Sequence, residues 1–271
     1  MTRAARSLFD PEGRARVATA VTVGGLRVLV ALDVDGTLAP IVSKPDRARV
    51  PAATLRLLAR AARLPGVTVA VVSARSARDL KRLVPVAGIR VAAQYGLEGV
   101  VAPAAARRRR WRRDAARIAT YLAPVAAAVP GARIEAKSLT AGLHDRAVSS
   151  RRLPALGGSL RRVAAAAARL GFVPVRGRRV TEFVPRGYDK GRAVTQLRRR
   201  YSPRTVFYFG DSEADERAFA VLGPDYFPVR VGPARSRARY RVREPGDVAR
   251  FLRLLLSLRT GRSDKQPGGA G

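Results

Sequence analysis

Apolar residues along this chain fall into two rhythms. Short unbroken runs rich in Val, Leu, Ile and Phe occur at 26–36 (LRVLVALDVDG), 66–75 (GVTVAVVSAR), 89–96, 204–211 (RTVFYFGD) and 225–232. They are continuous rather than alternating, the pattern of strands in a parallel sheet covered on both faces. Between them, 52–63, 77–84, 191–201, 213–222 and 245–258 place apolar residues at helical spacing. Strand and helix in alternation predict an α/β fold with a doubly wound parallel sheet.

The middle of the chain breaks that rhythm. Trp111, Ala115, Ile118, Leu122 and Val125 recur at steps of three and four, predicting a helix over 104–129 with a kink at Pro124. Extended segments follow at 132–138 and 139–146. A second helix is expected from Ser159 as N-cap to a stop at Gly171, then two strands at "GFVPVRG" and "RRVTEFVPR". Such an α+β unit is expected to be an inserted domain over 101–186, interrupting a core made of 26–100 and 187–258. Residues 1–25 read as an N-terminal extension, and 259–271, polar and Gly-rich, as a disordered tail.

Composition adds charge. There are 53 Lys+Arg against 20 Asp+Glu, a formal net charge of +33, and all but five of the basic residues are Arg. The five lysines are Lys44, Lys81, Lys137, Lys190 and Lys265. The surplus draws anions, but an Arg and Ala excess this general reads first as compositional bias. Cys is absent, which excludes disulfides, thiolate metal sites and a cysteine nucleophile and fits a reducing compartment. Arg3, Arg6, Arg14 and Arg16 ahead of an apolar stretch imitate a secretory signal, but Arg27 interrupts it and the run passes directly into a strand, so a cytoplasmic start is expected. No window reaches the ~18–20 uncharged apolar residues of a membrane span.

Chemistry concentrates at predicted strand ends, where open α/β sheets place their ligands. Asp33 and Asp35 close the first core strand two residues apart, so both carboxylates can face one crevice. One can serve as nucleophile while the other donates and accepts a proton. Gly36 permits a close turn, and Thr37 offers a hydroxyl and an amide to an anion. Ser73 ends the second strand before a helix, a position suited to a phosphate oxygen. Lys190 puts a compact ammonium at another helix start, in a chain that elsewhere uses Arg. Asp211 and Asp215, in "GDSEADE", add the hard oxygen donors that Mg²⁺ accepts.

In that order, "DVDGT", the serine after "VAVV", the lysine of "DKG" and "GDSEADE" resemble the four motifs of the haloacid dehalogenase superfamily of phosphatases. The resemblance implies a Rossmann-like core with a cap domain. It implies Asp33 as nucleophile and Asp35 as acid/base, with Thr37, Ser73, Arg75 and Lys190 holding phosphate. Asp33, the Asp35 carbonyl, Asp211 and Asp215 would hold Mg²⁺. Segments from "LDVDGTLAPIVSKPDRARVP" to "VTEFVPRGYDKGRAV" narrow it to the trehalose-6-phosphate phosphatase family. In the predicted cap, "IEAKSLTAGLHDR" alternates Glu135 with Lys137 and His144 with Arg146; with Glu182 these resemble that family's sugar-reading residues. Three departures stand out: Ala74 replaces a Gly, Ser212 and Ala214 replace an Asp and a Thr, and Gln94-Tyr95-Gly96-Leu97-Glu98 replaces Gly-Leu-His-Gly.

Three other readings are open at this level. A phosphatase for sucrose phosphate or a phosphorylated glycosyl-glycerate would share the core and differ in the cap. "RRRRWRRD" (107–114) could grip a polyanion in a catalytically silent module, but Trp111 belongs to the apolar stripe and the arginines to its solvated face. A general-base role for His144, the lone histidine, is disfavoured by its distance in sequence from the aspartates. The expectation is a monomeric enzyme acting on a small sugar phosphate, without nucleic acid or membrane.

Overall fold

The computed structural model describes residues 5–22, 27–42, 45–177 and 179–261. The chain begins with β1 (Arg6–Ser7) and α1 (Pro11–Thr22), then β2 (Val28–Leu32), α2 (Ala52–Ala61), β3 (Val67–Val72), α3 (Ala77–Leu83), β4 (Arg90–Ala93) and β5 (Glu98–Gly99). It continues through α4 (Ala105–Ala128), β6 (Arg133–Ala136), β7 (Ala141–His144), α5 (Leu153–Arg169), β8 (Phe172–Gly177) and β9 (Val180–Pro185). It ends with α6 (Lys190–Tyr201), β10 (Thr205–Gly210), α7 (Glu216–Ala220), β11 (Phe227–Val231), β12 (Tyr240–Val242) and α8 (Pro245–Thr260).

Eight strands form the core sheet in the order β1-β12-β11-β10-β2-β3-β4-β5, parallel except for β5. Every residue of β2, β10 and β11 is buried, which is why these strands read as unbroken apolar runs. One face packs Phe207 and Phe209 against Phe251 of α8; the other packs Leu29, Ala31 and Tyr208 against α6 and α7. β2 lies between β3 and β10, so the chain leaves it on one side and returns on the other. That reversal opens a crevice at the carboxyl ends of β2 and β10.

Residues 6–22 are not an extension. β1 pairs in parallel with β12, Arg6 opposite Tyr240, and α1 buries Val17 and Val21 in the same cluster as Leu252 and Leu255. Two valines one turn apart are enough to seat the helix, while Arg14 and Arg16 stay on its exposed side. At the other end α8 runs through Thr260, and the rest of the expected tail, from 262, lies outside the described residues.

The second sheet, in the order β6-β7-β9-β8, is fully antiparallel and covered on one face by α4 and α5, with Ile118, Leu122, Leu143, Leu156 and Phe183 in its core. α4 continues past Pro124, which lies within it without dividing it. Ser159 is not an N-cap: α5 starts at Leu153, with Pro154 in its first turn, because Leu156, Val163 and Ala167 already form its buried stripe. Gly171, at φ +80°, follows the end of that helix as expected. The helix expected over 213–222 is split into a 3₁₀ turn at Glu213–Asp215 and the short α7, because Ser212 and Asp215 cap each other there.

Candidate active site

Asp33 leaves β2 directly into the crevice, its N–H donating to the Phe209 carbonyl of β10 at 3.0 Å. The chain then turns tightly, with the amides of Thr37, Leu38 and Ala39 all reaching the Val34 carbonyl. Gly36 sits at φ +77°, and a Cβ there would fall 2.1 Å from Asp211 Oδ2. Only glycine brings the first motif that close to the last.

Lys190, the first residue of α6, is 3 % exposed and placed between two acids, 2.7 Å from Asp33 Oδ2 and 2.8 Å from Asp215 Oδ1. Asp189 caps that helix by accepting the Arg192 N–H at 2.7 Å. Asp215 also accepts the Tyr208 hydroxyl at 2.6 Å and, on its other oxygen, the Ser212 amide and hydroxyl at 2.9 and 2.5 Å. One ammonium thus faces two buried carboxylates, and Asp215 holds the better set of donors. Burial pushes its carboxyl up, but the charge of Lys190 and the bonds from Lys190, Ser212 and Tyr208 outweigh this and hold it below the ordinary range. For Asp33 burial also pushes upward; Lys190 opposes, Asp215 and Asp211 reinforce, and the result lies well above the ordinary range. The Lys190 ammonium is itself held above its usual value: burial acts against the charge, but the two carboxylates more than compensate.

Asp211 is the third acid. Burial and then repulsion from Asp215 raise it from an ordinary 3.8 to about 6, against the pull of Lys190 and Arg230. Its Oδ1 is buried with no hydrogen-bond partner, as is Thr37 Oγ1. One ligand atom from each of Asp33, Asp211 and Asp215 lies within 4.8 Å of the others. Clustered carboxylate oxygens, one without a partner, fit a divalent cation with oxygen ligands.

Around this centre two expected phosphate ligands are partly engaged by the protein itself. Thr37 is fully buried and its N–H is committed to Val34, which leaves its unpartnered hydroxyl as the one group it has to offer an anion. Arg75 instead grips Asp35 with two bonds, Nε to Oδ2 at 2.6 Å and a terminal nitrogen to Oδ1 at 2.7 Å. Ser73 lines the cleft, but no helix opens beside it: α3 starts at Ala77, whose N–H is taken by Glu98 at 2.8 Å, with Ser76 as its cap. Asp35 keeps a half-exposed side chain at the cleft mouth.

The second sheet closes the cleft from the opposite side. A cavity of about 220 Å³ is lined by Asp33, Asp35, Ser73, Arg75, Lys190 and Asp211 from the core and by Glu135, Lys137, His144, Arg146 and Glu182 from the cap. Lys137 and Arg146 lie just beyond the ends of β6 and β7 rather than within them. His144 Nε2 is 2.8 Å from Glu135, and Lys137 Nζ is 3.4 Å from Glu135 and 2.7 Å from Glu182. Burial raises the Glu135 carboxyl, but the His144 bond and the Lys137 charge prevail and hold it at about 2. Arg146 donates to the Val42 carbonyl at 3.0 Å.

Sequence reasoning passed over Tyr208 and Arg230, and noted the 94–98 segment only as a departure from the family's pattern. Strand alternation could have found Tyr208, which points to the same face of the sheet as Leu29 and Ala31, the face on which Asp33 follows. Arg230, buried in β11, donates to the Ser212 carbonyl at 3.2 Å and so braces the loop that carries Asp211.

A parallel core switching direction at an aspartate pair, with a lysine and a second acidic loop converging on it, is a fold shared with a haloacid dehalogenase-like hydrolase from Bacteroides thetaiotaomicron, at a TM-score of 0.57 and 16 % identity over 84 % of this chain and 98 % of that one. A family model described as trehalose-phosphatase matches residues 31–245. The trehalose-6-phosphate phosphatase of Escherichia coli is 30 % identical over 235 residues, 82 % of this chain and 84 % of that protein. The chain belongs to the trehalose-phosphatase family. A bifunctional trehalose-6-phosphate synthase/phosphatase of Thermoproteus tenax is 32 % identical over 248 residues, 86 % of this chain but 32 % of that protein. The chain thus spans about a third or less of the first curated relatives it matches. The C-terminal domain of a trehalose-6-phosphate phosphatase from C. albicans has the same fold, with a TM-score of 0.77 at 21 % identity, covering 94 % of this chain and 98 % of that one.

Proposed function

We propose that the protein is a Mg²⁺-dependent phosphatase that hydrolyses trehalose 6-phosphate to trehalose and phosphate. The observation that carries this reading is the shared cavity, in which the carboxylates and Lys190 of the core face the polar cluster of the cap. Core and cap supply different chemistry, phosphoryl transfer below and hydroxyl recognition above.

A carboxylate oxygen of Asp33 attacks phosphorus, forming an acyl phosphate as the bond from phosphorus to the sugar oxygen breaks. Asp35 gives its proton to that leaving oxygen, then takes one from water as the water attacks phosphorus, which frees Asp33 and releases phosphate. Lys190 balances charge between Asp33 and Asp215 throughout, and Ser73 meets a phosphoryl oxygen at the end of β3. Asp33, Asp211 and the Asp35 carbonyl would hold Mg²⁺, which when bound supplies positive charge to offset that of the phosphoryl oxygens; Asp215, expected as a ligand too, has both oxygens filled by Lys190, Tyr208 and Ser212 and supports the site from behind. In the cap, Glu135, Lys137, His144 and Arg146 present charged donors and acceptors of the kind that read a ring of sugar hydroxyls.

Phosphate release from trehalose 6-phosphate, sucrose 6-phosphate, glucose 6-phosphate and an aryl phosphate, with Mg²⁺ and with chelator, tests the reading. Chelator-sensitive release strongly favouring trehalose 6-phosphate is expected. Preference for another sugar phosphate would overturn the cap assignment, and no release from any of them would overturn the enzyme.

A further inference from the structure

A second cavity, of about 220 Å³, opens on the core and shares no lining residue with the catalytic cleft. Its floor is the edge of the main apolar core. Val50 and Leu83 are buried there, Leu55 of α2 packs against the same cluster, and Pro85, just past α3, completes the lining. The rest of the lining is two exposed arginines, Arg49 and Arg82, the second in the last turn of α3.

The two guanidinium groups come together in spite of their charge. Arg49 places one terminal nitrogen 2.8 Å from the carbonyls of both Asp46 and Ala48, which fixes its head. Arg82 turns a terminal nitrogen toward the same Asp46 carbonyl, at 3.5 Å, the outer limit of a hydrogen bond. Two like charges over one oxygen repel each other, and little in the protein cancels them. Among the described residues Arg49 has no carboxylate within ion-pair distance. Arg82 has only Asp79, at 3.7 Å, whose other oxygen already accepts the Ser76 hydroxyl at 2.7 Å. Paired guanidinium groups with unused N–H donors are receptors for an anion with two or more oxygens.

The space beside them takes more than the anion. A cavity of about 150 Å³ lined by apolar side chains is large enough for benzene. Here Val50, Leu55, Leu83 and Pro85 offer no side-chain donor or acceptor, so a sugar would leave hydroxyls unpaired against them. The lining also holds no nucleophile and no acid or base, so an occupant is bound without being converted.

We propose that this cavity is a binding site for a small amphipathic anion, a carboxylate or phosphate head on a single ring or short hydrocarbon chain. The head sits on Arg49 and Arg82, and the apolar body on Val50, Leu55 and Leu83. The site is independent of the substrate assigned to the cleft.

The test is methyl NMR of the full chain, reading Val50, Leu55 and Leu83 during titration with benzoate and with phenylphosphonate. Saturable shifts at these methyls are expected, and the tighter of the two ligands identifies the head. Inorganic phosphate carries charge without the ring, and benzyl alcohol carries the ring without charge. Each should bind there at least about tenfold more weakly, the factor that one lost hydrogen bond between charged groups amounts to. Arg49→Gln and Arg82→Gln should each weaken the tighter ligand by about tenfold for the same reason. Thermal melts at low salt give a second reading: with the repulsion relieved, Arg82→Gln should melt no lower than wild type. No saturable shift at the three methyls, equal binding of benzoate and benzyl alcohol, or full affinity in both variants would overturn the site. An Arg82→Gln protein that melts several degrees lower would overturn it too, because Arg82 would then be a structural bond rather than a cation awaiting a partner.

Discussion

Asp211 lets the energetics of the site be measured without substrate. In the metal-free protein its half-buried carboxyl stands beside Asp215 with one oxygen buried and lacking a partner, and its pKa stands at about 6 against an ordinary 3.8. The difference of about two units corresponds to roughly 3 kcal/mol. Its sign follows from which state ionises first. Below about pH 4 the group is protonated in both folded and unfolded chains and costs nothing. As pH rises, the unfolded chain ionises first, so stability falls, and above about 6 the whole cost is present. Asp211→Asn keeps the shape and cannot ionise. In chelator at pH 8 it should therefore melt higher than wild type, by about 6–12 °C for roughly 3 kcal/mol in a chain of this size. That advantage should shrink as pH falls from 6 toward 4. Mg²⁺ should raise the wild-type melting temperature and leave the variant unmoved, and the variant should release no phosphate. Thermal melts across pH, with chelator and with Mg²⁺, decide the matter. A variant less stable than wild type at pH 8, or a gap that does not change with pH, would refute the reasoning.

Asp33→Asn should abolish phosphate release from every phosphomonoester while circular dichroism stays native; turnover near the wild-type rate would sink the nucleophile assignment. Lys190→Arg keeps the charge but enlarges a side chain that is 3 % exposed between two acids; overpacking should cost about 1–3 kcal/mol in denaturant melts and lower kcat by on the order of a hundredfold. Gly36→Ala should lower stability by roughly 1–2 kcal/mol for the left-handed backbone alone and weaken metal affinity by displacing Asp211, read by Mg²⁺ titration of the melting temperature. Lys137→Ala should damage turnover of the sugar phosphate far more than that of an aryl phosphate, and equal losses would contradict a cap that reads sugar.

The central strands and the four-part core site were legible because each is written locally. A strand covered on both faces must be apolar throughout, and an aspartate pair at its end has few other uses. β1, β5 and β12 were not legible, being two or three residues long and defined only by the strand they join. α1 was misread because two valines amid alanines and arginines look alike in an extension and in a packed helix. That Arg75 also grips Asp35 was hidden, because the two lie 40 residues apart and sequence carries no record of the pairing. The contacts of Gln94 with Ser138 and of Tyr95 with Glu182 were hidden for the same reason, the partners standing 44 and 87 residues further on.

Lysine usage ties these strands of argument together. A chain with 53 basic residues keeps only five lysines, so composition favours Arg wherever either would do. Of the three lysines among the described residues, Lys81 is exposed, and the other two are the cations at the centre of the core site and of the cap site. Lys190 fits between Asp33 and Asp215, and Lys137 between Glu135, Glu182 and a backbone carbonyl. A planar guanidinium delivers its donors in one fixed fork, as Arg75 does to Asp35; an ammonium delivers three in a tetrahedral spread from a compact head. Buried acids approaching from different elements require the second geometry. Where a strongly Arg-biased chain retains a buried lysine, the residue marks a point at which separate parts of the fold converge on one charge.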